Sequence, residues 1–82
     1  LLAVDEDENY YVIELKKDSG YKDAYEQTVS YVKWIQKNMA KKSQKVYGII
    51  CLNQPTQELV DKVRNDKSMR LFEYHIHYQE IK

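Results

Sequence analysis

Apolar and polar positions divide the chain into short segments of distinct periodicity. Leu1-Leu-Ala-Val4 is apolar, and Asp5-Glu-Asp-Glu-Asn9 is a polar turn cluster. Tyr10-Tyr-Val-Ile-Glu-Leu-Lys16 is rich in β-formers, so the start of the chain predicts a hairpin with strands at 1–4 and 10–16. Lys17-Asp-Ser-Gly20 reads as a loop in which Asp18 or Ser19 can cap the next element. Residues 21–39 have helical spacing: Ala24, Gln27, Tyr31 and Trp34 form one stripe, and Tyr25, Val29, Val32 and Ile35 lie beside it. The second stripe is expected to pack on the sheet. Lys41-Lys-Ser-Gln-Lys45 puts positive charge at the helix end, as the helix dipole favours.

Val46-Tyr-Gly-Ile-Ile-Cys-Leu52 is a continuous apolar run and predicts a buried central strand. Pro55 and Thr56 open a second helix, 56–66, with Leu59 and Val63 one turn apart. From Met69 to Ile81 the pattern alternates. This predicts a strand over 70–78 with Phe72, Tyr74, Ile76 and Tyr78 on one face and Glu73, His75 and His77 on the other. The expected order is ββαβαβ, an α/β (α+β) fold.

Composition narrows the class. The chain has 82 residues, enough for one domain at most and short for a self-sufficient core. Hydrophobic residues at 43% and charged residues at 32% argue against disorder. The 13 basic and 13 acidic side chains cancel, so any nucleic-acid contact must rest on a local cluster. A single cysteine, Cys51, excludes an internal disulfide and fits a reducing, cytoplasmic setting. No apolar run is long enough to span a membrane, and no secretory signal is visible. The chain opens on Leu1 rather than Met, so it reads as a single domain, 1–82, truncated at its N-terminus.

Candidate chemistry centres on Glu14 and Lys16. Strand alternation puts both on one face with Val12, while Ile13 and Leu15 point the other way into apolar surroundings. A carboxylate and an ammonium two residues apart can serve one site. The carboxylate suits a hard cation such as Mg²⁺, and the ammonium can orient water and offset phosphate charge. Leu15 offers its backbone carbonyl at the same edge. Alone, Glu-x-Lys is also an ordinary ion pair on an exposed strand.

Two motifs in order add context. Glu14-Leu15-Lys16 ends an apolar strand, and Gln27 and Tyr31 follow on a helix as Q-x-x-x-Y. This resembles the PD-(D/E)XK nuclease superfamily, especially its RecB-type nuclease domains and NucS-like endonucleases, over about residues 1–66. The resemblance implies a restriction-endonuclease-like mixed sheet flanked by helices. It implies a DNA endonuclease that hydrolyses phosphodiester bonds with Mg²⁺ (or Mn²⁺), with Glu14, Lys16, Gln27 and Tyr31 catalytic and Glu14 and Leu15 on the metal. DNA is the implied partner, no membrane is involved, and a homodimer is compatible with the sequence.

The superfamily also needs an acid on the preceding strand. Asp5 and Asp7 are near in sequence, but a 5–9 turn pairs Val4 with Tyr10 and puts Glu14 opposite the residue before Leu1. Asp5 then lies roughly four residues, or about 13 Å, from Glu14's level, too far to share a cation. The resemblance to NucS-like sequences places the acid just upstream of two apolar residues, and Leu1 and Leu2 are such a pair.

Other features read more simply. His75 and His77 could hold a transition metal but more simply face solvent. Cys51 reads as a small core residue. Lys37, Lys41, Lys42 and Lys45 read as a solvated helix end rather than a phosphate contact. Tyr74 and Tyr78 either pack under a helix or form a partner surface if the last strand is an edge. The alternative function is a catalytically inactive nuclease-fold binding or assembly module. A Holliday-junction- or tRNA-directed nuclease of the same fold would differ only in substrate.

Overall fold

A computed structural model describes residues 1–16 and 23–82. Its elements run β1 (Leu2–Val4), β2 (Tyr10–Lys16), α1 (Ala24–Asn38), β3 (Val46–Leu52), α2 (Gln57–Arg64) and β4 (Met69–Glu73). The fold is α+β: one four-stranded mixed sheet, ordered β1-β2-β3-β4, with two helices. The β1–β2 pair is antiparallel, and β2, β3 and β4 are mutually parallel. No helix among the described residues is long and apolar enough to cross a membrane.

The hairpin register is set by its turn. Asp5 accepts hydrogen bonds from the backbone N–H groups of Asp7 and Asn9, both at 2.9 Å, and from the Tyr11 hydroxyl at 2.8 Å. Glu8 takes a positive φ of 65° to close the turn. Val4 therefore pairs with Tyr10, Ala3 with Tyr11 and Leu2 with Val12. The Asn9 side chain accepts from the Lys45 N–H at 2.9 Å, which anchors the turn to the start of β3.

Both helices cover one face of the sheet. Val12 from β2 joins Val46, Ile50 and Leu52 from β3, Met69 from β4, and Ala24, Val32, Ile35, Leu59 and Val63 from the helices in one core. Burying a Val or Ile side chain in such a core stabilises by about 1.5–3 kcal/mol. Along α1 the fully covered positions are Ala24, Thr28, Val32 and Ile35. The stripe expected on the sheet is thus shifted: Val32 and Ile35 are buried, whereas Tyr25 and Val29 are only partly covered. Thr28 takes the central place because its hydroxyl donates to the Ala24 carbonyl at 2.8 Å, satisfying its polar atom inside the helix. Thr28 lies over Gly48, where a Cβ would collide with Thr28 and Met69.

Among the described residues the opposite face carries no helix. In β3 burial alternates, with Val46, Gly48, Ile50 and Leu52 buried and Tyr47, Ile49 and Cys51 half-buried. The apolar run of β3 predicts burial on both faces; among the described residues the helices cover one. Cys51 is accordingly a half-buried residue of the helix-free face, not a core residue. Leu15, expected in apolar surroundings, is 61% exposed on that same face.

Element ends differ from the sequence expectation for local reasons. The 17–20 loop and the cap at Asp18 or Ser19 lie outside the described residues; the described helix starts at Ala24 with Asp23 in the N-cap position. Helix α2 starts after Thr56, whose hydroxyl accepts from the Leu59 N–H at 3.2 Å. Strand β4 ends at Glu73 rather than 78. Its ladder partner among the described residues, β3, stops at Leu52, paired with Glu73, and the chain then bends through Gln54 at φ 62°. After the Tyr74 N–H bond to the Leu52 carbonyl no further ladder partner remains among the described residues, and residues 75–82 are exposed. The radius of gyration, 14.6 Å, exceeds the roughly 12 Å of a compact chain of this length, consistent with that extended end. His75 and His77 therefore do not share a strand face; His75 sits 3.5 Å from Glu73, and His77 faces solvent.

Candidate active site at the C-terminal end of strand β2

Glu14 and Lys16 project on the helix-facing side of β2, two and four positions beyond the buried Val12. Their side chains meet at 3.0 Å and are only 24% and 18% exposed, so the pair is better shielded than an ordinary surface ion pair. Glu14 borders a small hollow of about 270 Å³ with Leu1, Leu2, Val12, Tyr31 and Ile35. Tyr31 thus shares a cavity with Glu14, while its ring is 58% exposed at the rim. Gln27 is exposed on α1, one helical turn N-terminal to Tyr31 and on the same side of the helix. Trp34, placed in the same stripe by the spacing, is 57% exposed.

The backbone of this strand end is arranged by the two ladders. Ile13 exchanges both of its main-chain bonds with Leu1, at 2.7 and 3.0 Å. Odd-numbered residues of β2 therefore turn their N–H and C=O toward β1, and even-numbered ones toward β3. Leu15 follows this rule and directs its carbonyl toward the β1 side. Lys16 directs its carbonyl the other way, where it accepts from the Tyr74 hydroxyl at 2.8 Å.

No family model, curated protein or solved structure matches the chain.

The register also settles the position of Asp5. It lies beyond Val4 at the turn end of the hairpin, while Glu14 lies at the opposite end. Its carboxylate is occupied by Asn9, Tyr11 and Asp7, with the Asn9 N–H contributing most to a lowered pKa. Asp5 is a turn-organising acid. Among the described residues no group of three or more His, Cys, Asp or Glu side chains is placed to hold a metal ion.

Sequence reasoning missed Tyr74 as part of this end of the sheet. Its hydroxyl reaches Lys16 across β3, a contact between residues 58 positions apart, and only the parallel β2-β3-β4 order brings them together.

Proposed function

We propose that the chain carries the Glu-x-Lys half of a metal-dependent DNA endonuclease site on a restriction-endonuclease-like fold. One observation carries the reading: Glu14 and Lys16 pair at 3.0 Å at the C-terminal end of β2, with Tyr31 bordering the same hollow. Mg²⁺ and Mn²⁺ favour oxygen ligands, and Mg²⁺ sites commonly use one or two carboxylates completed by waters and substrate phosphate. The Glu14 carboxylate and the Leu15 carbonyl fit part of such a shell. A bound cation would stabilise phosphoryl charge and acidify a coordinated water.

The chain's own groups have separate tasks in this proposal. Glu14 presents a carboxylate at the edge. Lys16 holds a positive charge beside it, which offsets phosphate charge and orients the attacking water. Gln27 and Tyr31 supply polar groups from the helix side. Because Leu1 and Ile13 form a hydrogen-bonded pair, a residue preceding Leu1 in β1 would face Glu14 in a non-hydrogen-bonded pair, where side chains approach most closely. An acid there is the second carboxylate of the proposed site.

A test independent of turnover is Mn²⁺ binding followed by electron paramagnetic resonance. A chain with Asp placed directly before Leu1 is expected to bind Mn²⁺ at least about tenfold more tightly than the 82-residue chain, and Glu14→Ala is expected to remove that gain. Equal affinity in all three would remove the site. The second reading, a nuclease fold used for binding or assembly without turnover, draws on Glu14 being the one carboxylate bordering the hollow among the described residues. Cleavage by the Asp-bearing chain separates the two.

A further inference from the structure

Strand β4 is an outer strand of the sheet, and its ladder runs only to β3. The Ser68 carbonyl accepts from Gly48, and the Tyr74 N–H donates to Leu52. Even-numbered residues of this segment therefore direct their main-chain groups inward. Leu71 and Glu73 direct theirs outward, which leaves a short, regular, proline-free row of donors and acceptors along the edge. Beside that row a groove of about 700 Å³ opens between β4 and α2. Val60, Val63 and Leu71 give it an apolar wall, and Arg64, Lys67 and Arg70 line it with positive charge.

The charges are unevenly committed. None of Arg64, Lys67 and Arg70 belongs to an ion pair among the described residues. Two carboxylates also border the groove, but Asp66 is turned to the Tyr25 hydroxyl and Ser68, both at 2.7 Å, and Glu73 has His75 at 3.5 Å.

We propose that this groove binds an extended acidic peptide, which adds to β4 as a further strand. Its main chain would pair with Leu71 and Glu73, its carboxylates, on the side toward α2, would meet Arg64 and Lys67, and its apolar side chains, on the other face, would cover Phe72. Edge addition takes affinity from main-chain bonds and specificity from alternate side chains, the combination the groove offers. A second copy is the poorer occupant, because its own Arg64, Lys67 and Arg70 would meet the same three cations. The inference does not depend on the nuclease reading, since the groove lines β4 while Glu14 lies on β2, with β3 between them.

The test titrates the 82-residue chain with fluorescein-labelled peptides of alternating Val and Glu, and of alternating Val and Lys, read by anisotropy and by amide NMR. Two further Val/Glu peptides carry N-methyl groups on one or the other set of alternate amides. The Val/Glu peptide is expected to bind at least about tenfold more tightly than the Val/Lys peptide and to shift the Leu71 and Glu73 amides. One N-methyl pattern is expected to bind and the other to fail, because only one set of peptide amides faces β4. Arg64→Glu with Lys67→Glu is expected to reverse the charge preference. The proposal is overturned by equal binding of the two charge types, by no binding at millimolar peptide, by retention of both N-methylated peptides, or by a β4-mediated dimer of the chain.

Discussion

The Tyr74 hydroxyl donates to the carbonyl oxygen of Lys16 at 2.8 Å, tying the chain beyond β4 to the end of the strand that carries the Glu-x-Lys pair. The bond crosses β3 and fixes the strand at the point where Lys16 must hold its side chain beside Glu14. Tyr74→Phe is expected to lower stability by about 0.5–1.5 kcal/mol, the net worth of one such hydrogen bond. Urea unfolding measures this. A change within error would mean that the bond does not anchor β2.

Gly48 sits where Thr28 of α1 and Met69 of β4 converge on the sheet. Gly48→Ala is expected to destabilise by about 1–3 kcal/mol, the usual range for overpacking a well-filled core. Gly48→Ala combined with Met69→Ala, which frees space for the added methyl group, is expected to recover part of the loss from the overpacked state relative to Met69→Ala alone. Thermal unfolding of the double-mutant cycle checks this, and strict additivity would contradict it.

Tyr25 and Asp66 form a hydrogen bond of 2.7 Å that links α1 to the turn before β4. Burial pushes the Asp66 carboxyl up, but hydrogen bonds from Ser68 and Tyr25 outweigh it and its pKa is lowered from 3.8. The bond to Asp66 raises Tyr25 above its ordinary 10.0. A lowered acid contributes stability above its unfolded value of 3.8 and loses it as pH falls through the lower folded value. A raised phenol contributes below 10.0 and loses it as pH rises through the higher folded value. Tyr25→Phe is therefore expected to flatten part of both limbs of the stability–pH curve, measured by denaturant unfolding across the two ranges. An unchanged alkaline limb would contradict the link.

Much of this arrangement is legible in the sequence where local chemistry decides it. The Asp5–Asn9 turn cluster specifies the Val4–Tyr10 register, because Asp and Asn hydrogen-bond their own turns. Thr56 announced α2 as a cap, with Leu59 and Val63 on its buried side. Alternation puts Glu14 and Lys16 on one face. The rest depends on contacts between segments far apart in the chain. The end of β4 at Glu73 follows from where β3 stops, which the alternating residues after Glu73 do not reveal. Thr28 reads as polar until its bond to Ala24 is seen. The apolar run of β3 does not tell that both helices choose the same face.

The side-chain contribution of the helix to the proposed site is separable from the metal-binding pair. In an Asp-bearing chain that cuts DNA, Gln27→Ala and Tyr31→Phe are expected to lower kcat by about ten- to a hundredfold, as loss of an orienting group near a metal does. Mn²⁺ affinity is expected to stay within about threefold. Steady-state kinetics with Mn²⁺ titration reads both quantities. A loss of Mn²⁺ affinity equal to that of Glu14→Ala would make these residues part of the metal shell instead.

The most direct measurement is plasmid cleavage in Mg²⁺ or Mn²⁺ by a chain that carries Asp immediately before Leu1, beside its Glu14→Ala and Lys16→Ala variants and the 82-residue chain itself. The proposed site predicts cutting by the Asp-bearing chain alone, with both variants and the shorter chain leaving the DNA intact. If the shorter chain cuts and Asp5→Ala stops it, Asp5 is the second ligand and the register argument fails. If the Asp-bearing chain leaves duplex, branched and single-stranded DNA intact, the endonuclease proposal is contradicted and the binding-module reading replaces it.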